Sequence, residues 1–186
     1  MPSFPRVTEP LSDGSVTLRP AAERDIPEVL IAYQDDPELH RRMGEGRPPS
    51  AAELGRRAER AEHDRQGGVG VSWTVTQVGE DSCIGQIDVH RVDWDNRRAE
   101  LGAWLAPAHR GRGLGRRALA LVGSWLIEEV GFERVELLTQ PDNASMIHAA
   151  RAARFELEGV LHGYYRTPGG RVDMAIMSLV RRDLGS

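Results

Sequence analysis

Three glycines alternate with other residues in Arg110-Gly111-Arg112-Gly113-Leu114-Gly115, and the run leads straight into an apolar pattern of helical spacing. Glycine carries no Cβ, so a ligand can approach such a backbone closely. The first turn of a helix also offers unpaired N–H groups, and the helix dipole favours an anion there. Arg110, Arg112, Arg116 and Arg117 add positive charge around that mouth. Together these features describe a cradle for phosphate or pyrophosphate; the plain alternative is a solvent-facing Arg/Gly turn. Two other cradles do not fit. A Walker-type loop needs a lysine, and every one of the 24 Lys/Arg residues here is arginine. A dinucleotide fingerprint needs GxGxxG near the first strand and an acidic residue about 20 positions on. Here the spacing is GxGxG, and Glu128 and Glu136 fall at unrelated helical and strand positions.

The elements that must hold this loop can be read from periodicity. Residues 1–14 form a loose, flexible, Pro-containing arm, and SVTLRP at 15–20 is a short strand. Asp25, Pro27 and Glu28 open one helix, and Ser50 with Glu53 caps a second. Alternation then places two antiparallel strands, one through Val71, Trp73 and Val75, the other through Ile84 and Gln86, with VGEDS turning between them. DWDNRR at 93–98 is a polar loop, and ELGAWLAP at 100–107 is a strand stopped by Pro107. The helix after the glycine loop ends at Gly131, and VELLT at 135–139 follows as a strand. Since the helix joins two strands, they are predicted to be parallel. A PDN turn, a helix over 144–154, and strands over 159–165 and 171–180 around a PGG turn at 168–170 complete the chain. The expectation is one α/β domain over 15–183, a mixed central sheet with flanking helices.

Composition narrows the function. A formal charge of -4 gives no basic field for nucleic acid. Without lysine, a Schiff-base mechanism is excluded. The single cysteine, Cys83, cannot form an internal disulfide, and no spacing suits zinc, so no metal is expected. No run approaches a membrane span or the apolar core of a signal peptide. The reading is a cytoplasmic protein with neither membrane nor nucleic acid as partner.

The loop resembles that of the GNAT superfamily of N-acetyltransferases, whose coenzyme A motif Gln/Arg-x-x-Gly-x-Gly/Ala matches Arg110, Gly113 and Gly115. AELGAWLAP resembles the family's central strand. SVTLRPAAERD at 15–25, PDNAS at 141–145, and RFELEG followed by GYYRTPGGRVDMAIMSLVRRD are similar to the ribosomal-protein N-terminal acetyltransferase branch. The resemblance covers about residues 15–183. It implies a GNAT-like fold and direct transfer of acetyl from acetyl-CoA to an amine, either a small molecule or a peptide N-terminus. By the same analogy a homodimer is possible. The pantetheine arm would lie along Ala103, Trp104 and Leu105, and the pyrophosphate would meet the N–H groups around Gly111, Arg112, Gly113, Leu114, Gly115 and Arg116, beside Arg110. Asn143 matches an asparagine that helps secure the pantetheine; its other reading is a helix cap.

The reaction needs a base for the amine, an oxyanion donor and a proton for the departing thiolate. The resemblance puts the oxyanion donor on the backbone near Trp104 or Leu105. Glu100, entering the central strand, is the leading candidate base, read equally well as a solvent-facing or salt-bridged strand residue. Asp88 and His90 alternate on the neighbouring strand and are the next candidates, since an imidazole titrates nearest neutrality. Two positions depart from the family pattern. Ala150 stands where many relatives carry a tyrosine, and Met146 where the ribosomal-protein branch often has a serine. Tyr164 or Tyr165 is the substitute expected for thiolate protonation. If none serves, the alternative is a catalytically degenerate acyl-CoA-binding module.

Overall fold

Glycine, proline and polar turns divide the chain into eight strands and six helices among the described residues, which in this computed structural model are 2–6, 9–167 and 169–184. The strands are β1 (Leu11–Ser12), β2 (Val16–Pro20), β3 (Val71–Gln77), β4 (Gly85–Asp93), β5 (Arg98–Leu105), β6 (Arg134–Thr139), β7 (Glu156–Thr167) and β8 (Gly170–Val180). The helices are α1 (Ile26–Asp35), α2 (Leu39–Arg42), α3 (Ala51–Gln66), α4 (Leu114–Trp125), α5 (Ala144–Ala152) and α6 (Arg181–Leu184). All strands join one sheet in the order β1-β2-β3-β4-β5-β6-β8-β7. Only β5 and β6 run parallel, as their helical crossover requires. Pro168 of the expected PGG turn lies outside the described residues.

Strand alternation sends the two sheet faces to different partners. Val71, Trp73, Val75, Ile87, Val89 and Leu101 pack against α4 and α5 in the larger core, and the intervening residues face α1 and α3. On that second face Trp104 joins Val29, Tyr33, Leu39 and Leu54. Helix α3 begins with the expected capping box, Ser50 accepting from the Glu53 N–H and Glu53 accepting from the Ser50 N–H. The start of α1 departs from expectation. Asp25 makes no side-chain cap there; its carboxylate instead takes two bonds from Arg19, at 2.6 and 3.0 Å, one from Thr74 and one from the Ala22 N–H of the preceding turn. A buried carboxylate needs a cation, and Arg19 from β2 is close enough to supply it.

The arm expected over 1–14 is also corrected in part. Phe4 is buried among Trp94, Trp125 and Phe132, with ring centroids 5.2 to 6.1 Å away, and Leu11–Ser12 pairs with β2. A large aromatic ring gains more from this apolar contact than the chain loses in freedom.

Candidate active site

The parallel pairing of β5 with β6 runs from Arg98↔Arg134 to Leu101↔Leu137 and stops there. On its other side β5 stays paired with β4 as far as Leu105. From Gly102 onward one edge of β5 therefore has no strand partner, and backbone groups of Ala103, Trp104 and Leu105 border the opening. An extended amide-bearing chain can take up those N–H and C=O groups as a strand would. The Leu105 carbonyl is already claimed by Arg110 Nε, at 2.8 Å.

The glycine loop follows this opening. Gly111 and Gly113 sit at φ +74° and +77°, in the left-handed region that favours glycine. Gly113 occupies the cap position of α4 and, lacking a side chain, caps nothing. The first-turn N–H groups around Leu114, Gly115 and Arg116 are thus left for an external anion. Gly115 lets α4 start against the end of β5, where an added Cβ would stand 3.3 Å from Leu105. Arg112 and Arg116 are exposed, and among the described residues no hydrogen bond or ion pair engages either guanidinium. Arg110 has a different position from the one expected of a phosphate contact. Its Nη2 lies 2.6 Å from Asp36 Oδ2, tying the end of β5 to the end of α1. Burial alone would raise the Asp36 carboxyl, but Arg110 outweighs it and holds the group below the usual range. Arg117 reaches Asp13 at 2.8 Å, away from the loop. Asn143 caps α5, accepting from the Met146 N–H at 3.3 Å and donating to Thr139 at 3.0 Å.

Across the sheet, a cavity of about 340 Å³ opens between α1, α3 and the strands. Asp88, His90, Gly102 and Trp104 form its floor, and Tyr33, Glu45 and Arg57 stand on its helical side. The sequence had pointed Asp88 and His90 this way; Ser72, Tyr33, Glu45 and Arg57 were missed. Ser72 is Asp88's cross-strand partner, and its hydroxyl donates to Asp88 at 2.5 Å. That pairing depends on strand register, which the pattern of residues does not reveal.

Glu100 is buried behind this floor rather than open to it. His90 Nε2 lies 3.2 Å from Oε1, and Arg91 Nη1 is 3.1 Å from Oε2. Regular alternation would send Arg91 to the opposite face from His90. A bulge between His90 and Asp93, with Arg91 at φ +49°, turns it back onto Glu100. Burial acts to raise the Glu100 carboxyl, but the hydrogen bond and charge of His90 and the Arg91 guanidinium prevail and hold it below its ordinary value. A carboxylate held ionised by two donors is a weak base and a good hydrogen-bond acceptor. A neutral imidazole facing such an acceptor would carry its proton on Nε2 and its lone pair on Nδ1. Gly102 makes room for that ring, since a Cβ there would come within 3.4 Å of His90 Cε1.

Tyr164 is not brought to this place. Along the edge strand β7 it alternates outward, 44% exposed, with its ring against Tyr165. Tyr165 is the inward member, and Arg91 lies over its ring at 5.2 Å. Ala150 is fully buried, Met146 is apolar, and Ser145 is exposed on α5. Cys83 is no nucleophile near neutrality, because burial pushes its thiol up to about 12. Among the described residues no His/Cys/Asp/Glu group could hold a metal ion, and no helix is long and apolar enough to cross a membrane.

The sequence and fold of this chain are similar to those of known acetyltransferases. The acetyltransferase (GNAT) domain family matches residues 15–156. An uncharacterized N-acetyltransferase, p20, of Bacillus licheniformis is 25% identical over 94% of this chain and 98% of that protein. A ribosomal-protein-serine acetyltransferase of Escherichia coli is 32% identical over 44% of this chain and 46% of that protein. Among solved structures, a ribosomal-protein-S5-alanine acetyltransferase from Vibrio fischeri superposes with a TM-score of 0.81 at 16% identity, covering 94% of this chain and 98% of that one. The protein belongs to the GNAT acetyltransferase family and is an acetyl-CoA-dependent enzyme that transfers the acetyl group to an amine acceptor.

Proposed function

We propose that the acceptor amine enters the cavity beneath α1 and α3, that acetyl-CoA lies across the opening beside β5, and that His90 takes the amine's proton. The observation that carries this reading is the His90–Glu100 pair at Gly102, where β5 leaves β6 and the cavity meets the opening. In this reading the N–H groups of residues 111–116 hold the pyrophosphate, aided by Arg112 and Arg116, and the backbone of residues 103–105 grips the pantetheine. Arg110 and Asn143 brace the walls of that site. An ammonium has no lone pair, so His90 Nδ1 must accept a proton before nitrogen attacks the thioester carbon. As the C–S bond breaks, the thiolate recovers the proton that His90 has taken, and His90 then accepts the second proton of the attacking nitrogen and releases it to water. Glu100 is then a positioning residue that fixes the imidazole tautomer and stabilises the imidazolium, not the base itself.

The acceptor is an amine-bearing small molecule or a peptide N-terminus, and the likeness to ribosomal-protein acetyltransferases supports the second. A cytoplasmic setting is supported by the lone reduced cysteine, and a homodimer by the family resemblance.

The test is kcat/KM against pH for parent, His90→Gln and Glu100→Gln, with the acetyl-CoA Kd measured alongside. We expect His90→Gln to lose about 10²–10⁴-fold and its acidic limb. Glu100→Gln should lose less and displace that limb. Both should keep the parent's acetyl-CoA affinity. A His90→Gln enzyme with the parent's rate and profile would exclude this base and leave Asp88 to serve.

A further inference from the structure

The charges lining the cavity fall into pairs, with one exception. Asp25 is matched by Arg19 at 2.6 Å, Glu45 by Arg57 at 2.8 Å, and His90 by Glu100 at 3.2 Å. Glu45 also accepts from the Tyr33 hydroxyl at 2.7 Å, so its two oxygens are both engaged. Asp88 accepts from Ser72, and among the described residues no cation lies within salt-bridge distance of it. Burial pushes the Asp88 carboxyl up against the weaker pull of Ser72, His90 and Arg57. Asp88 is half-buried; a carboxylate drawn partly out of water without a cation is costly, and a ligand that brings one lowers the cost. The rest of the lining favours an uncharged stem. Val29, Leu54, Ala58 and Trp104 supply apolar wall, and Glu45, with its oxygens taken by Arg57 and Tyr33, offers no free carboxylate to a second cation.

We propose that the acceptor carries a single positive charge, its reacting ammonium on an uncharged and largely apolar stem, and that Asp88 captures that ammonium. The Arg57–Glu45 pair sets the selectivity by satisfying the other half-buried carboxylate of the cavity, so that diamines and polyamines are disfavoured. This rests on the reading that the cavity holds the acceptor. The chemistry required is met by a small monoamine or by a peptide N-terminus whose first side chain is uncharged.

The experiment compares kcat/KM for hexylamine and 1,6-diaminohexane, and for Ala-initiated and Lys-initiated peptides otherwise identical, in parent, Arg57→Gln and Asp88→Asn. Acetyl-CoA Kd and thermal melting certify that each variant is folded and binds its co-substrate. In the parent, we expect the singly charged member of each pair to win by about tenfold or more. The pair of amines against the pair of peptides tells which source of ammonium is preferred. Arg57→Gln frees Glu45 for a second cation, so the preference should fall to parity or invert. Asp88→Asn should lose about a hundredfold or more on every acceptor with acetyl-CoA Kd unchanged. If Asp88→Asn is silent on all acceptors, Asp88 does not capture the ammonium and this inference falls, whereas the acceptor site itself is judged by His90→Gln. If Asp88→Asn is deleterious but the parent prefers the doubly charged acceptors, or Arg57→Gln leaves the preference intact, the acceptor site stands and the single-charge inference is overturned.

Discussion

Gly113 shows how much one residue can carry. Its φ of +77° is a region where a Cβ meets the following carbonyl, and an added methyl would also stand 3.1 Å from Arg116 Nε. The conformational cost alone is about 1–2 kcal/mol. A shift that relieved it would turn the N–H groups of the first helical turn away from a bound phosphate. Gly113→Ala is therefore expected to raise the acetyl-CoA Kd about tenfold. Arg117→Ala should change it by no more than about twofold, because Arg117 is spent on Asp13 at the surface. Calorimetry on the three proteins checks both numbers; equal affinities would mean that the loop does not cradle the phosphates. Arg110 makes the complementary point. Its position matches the family motif, yet its guanidinium braces Leu105 and Asp36, so a motif position and a ligand contact are separate facts.

At the scale of elements, the site depends on two irregularities in strands. One is the early end of the β5–β6 pairing, which opens an edge inside the sheet. The other is the bulge in β4, which turns Arg91 onto the carboxylate that His90 already faces across the ladder. Its energetic signature has a definite sign. The Glu100 carboxyl is lowered in the folded protein, so the stability it contributes is present above the unfolded carboxylate pKa. That stability is lost as pH falls through the depressed folded value. Arg91→Ala weakens the depression, so the variant should be less stable than the parent near neutrality, with the gap narrowing as pH falls through and below the ordinary carboxylate range. The contact of Arg91 with Tyr165 does not titrate over this interval, so the part of the gap that closes belongs to Glu100. Urea unfolding at a series of pH values reads it directly. A gap independent of pH would remove Arg91 from the account of Glu100.

For the whole molecule, the sheet separates two tasks. The α4/α5 face holds the larger apolar core, and the α1/α3 face is hollowed to hold ionisable groups. The N-terminal segment belongs to the first task. Phe4 is 1% exposed and joins β3, α4 and the turn after β4 through one aromatic cluster. Truncating a buried phenylalanine costs about 3–5 kcal/mol. Phe4→Ala should lower the unfolding free energy by that amount and leave the acetyl-CoA Kd unaltered. Denaturant titration with and without acetyl-CoA separates the two effects. A negligible loss of stability would return this segment to the loose arm that its prolines suggested.

The order of elements, the parallel β5–β6 crossover, the capping box at Ser50 and the glycine loop were legible because each is written in neighbouring residues. Periodicity, caps and turn chemistry act over a few positions, and the chain displays them wherever it folds. The family resemblance extended that reading to acetyl-CoA. The roles of particular side chains were not local in the same way. Asp25, read as a helix cap, is met by Arg19 and Thr74 from two strands, and Glu100, read as a base, is met by His90 across the ladder and by Arg91 through the β4 bulge. Tyr164 and Tyr165 are adjacent in the chain, and the irregularity in β7 between Leu161 and Tyr165 helps decide which turns inward. Glu45 and Arg57 come from a loop and a helix with no shared period, yet meet over the cavity. Sequence determines which groups are available for proton transfer and charge pairing. Register, bulge and helix placement determine which of them meet, because electrostatic and hydrogen-bond energies fall steeply with distances set only by the folded chain.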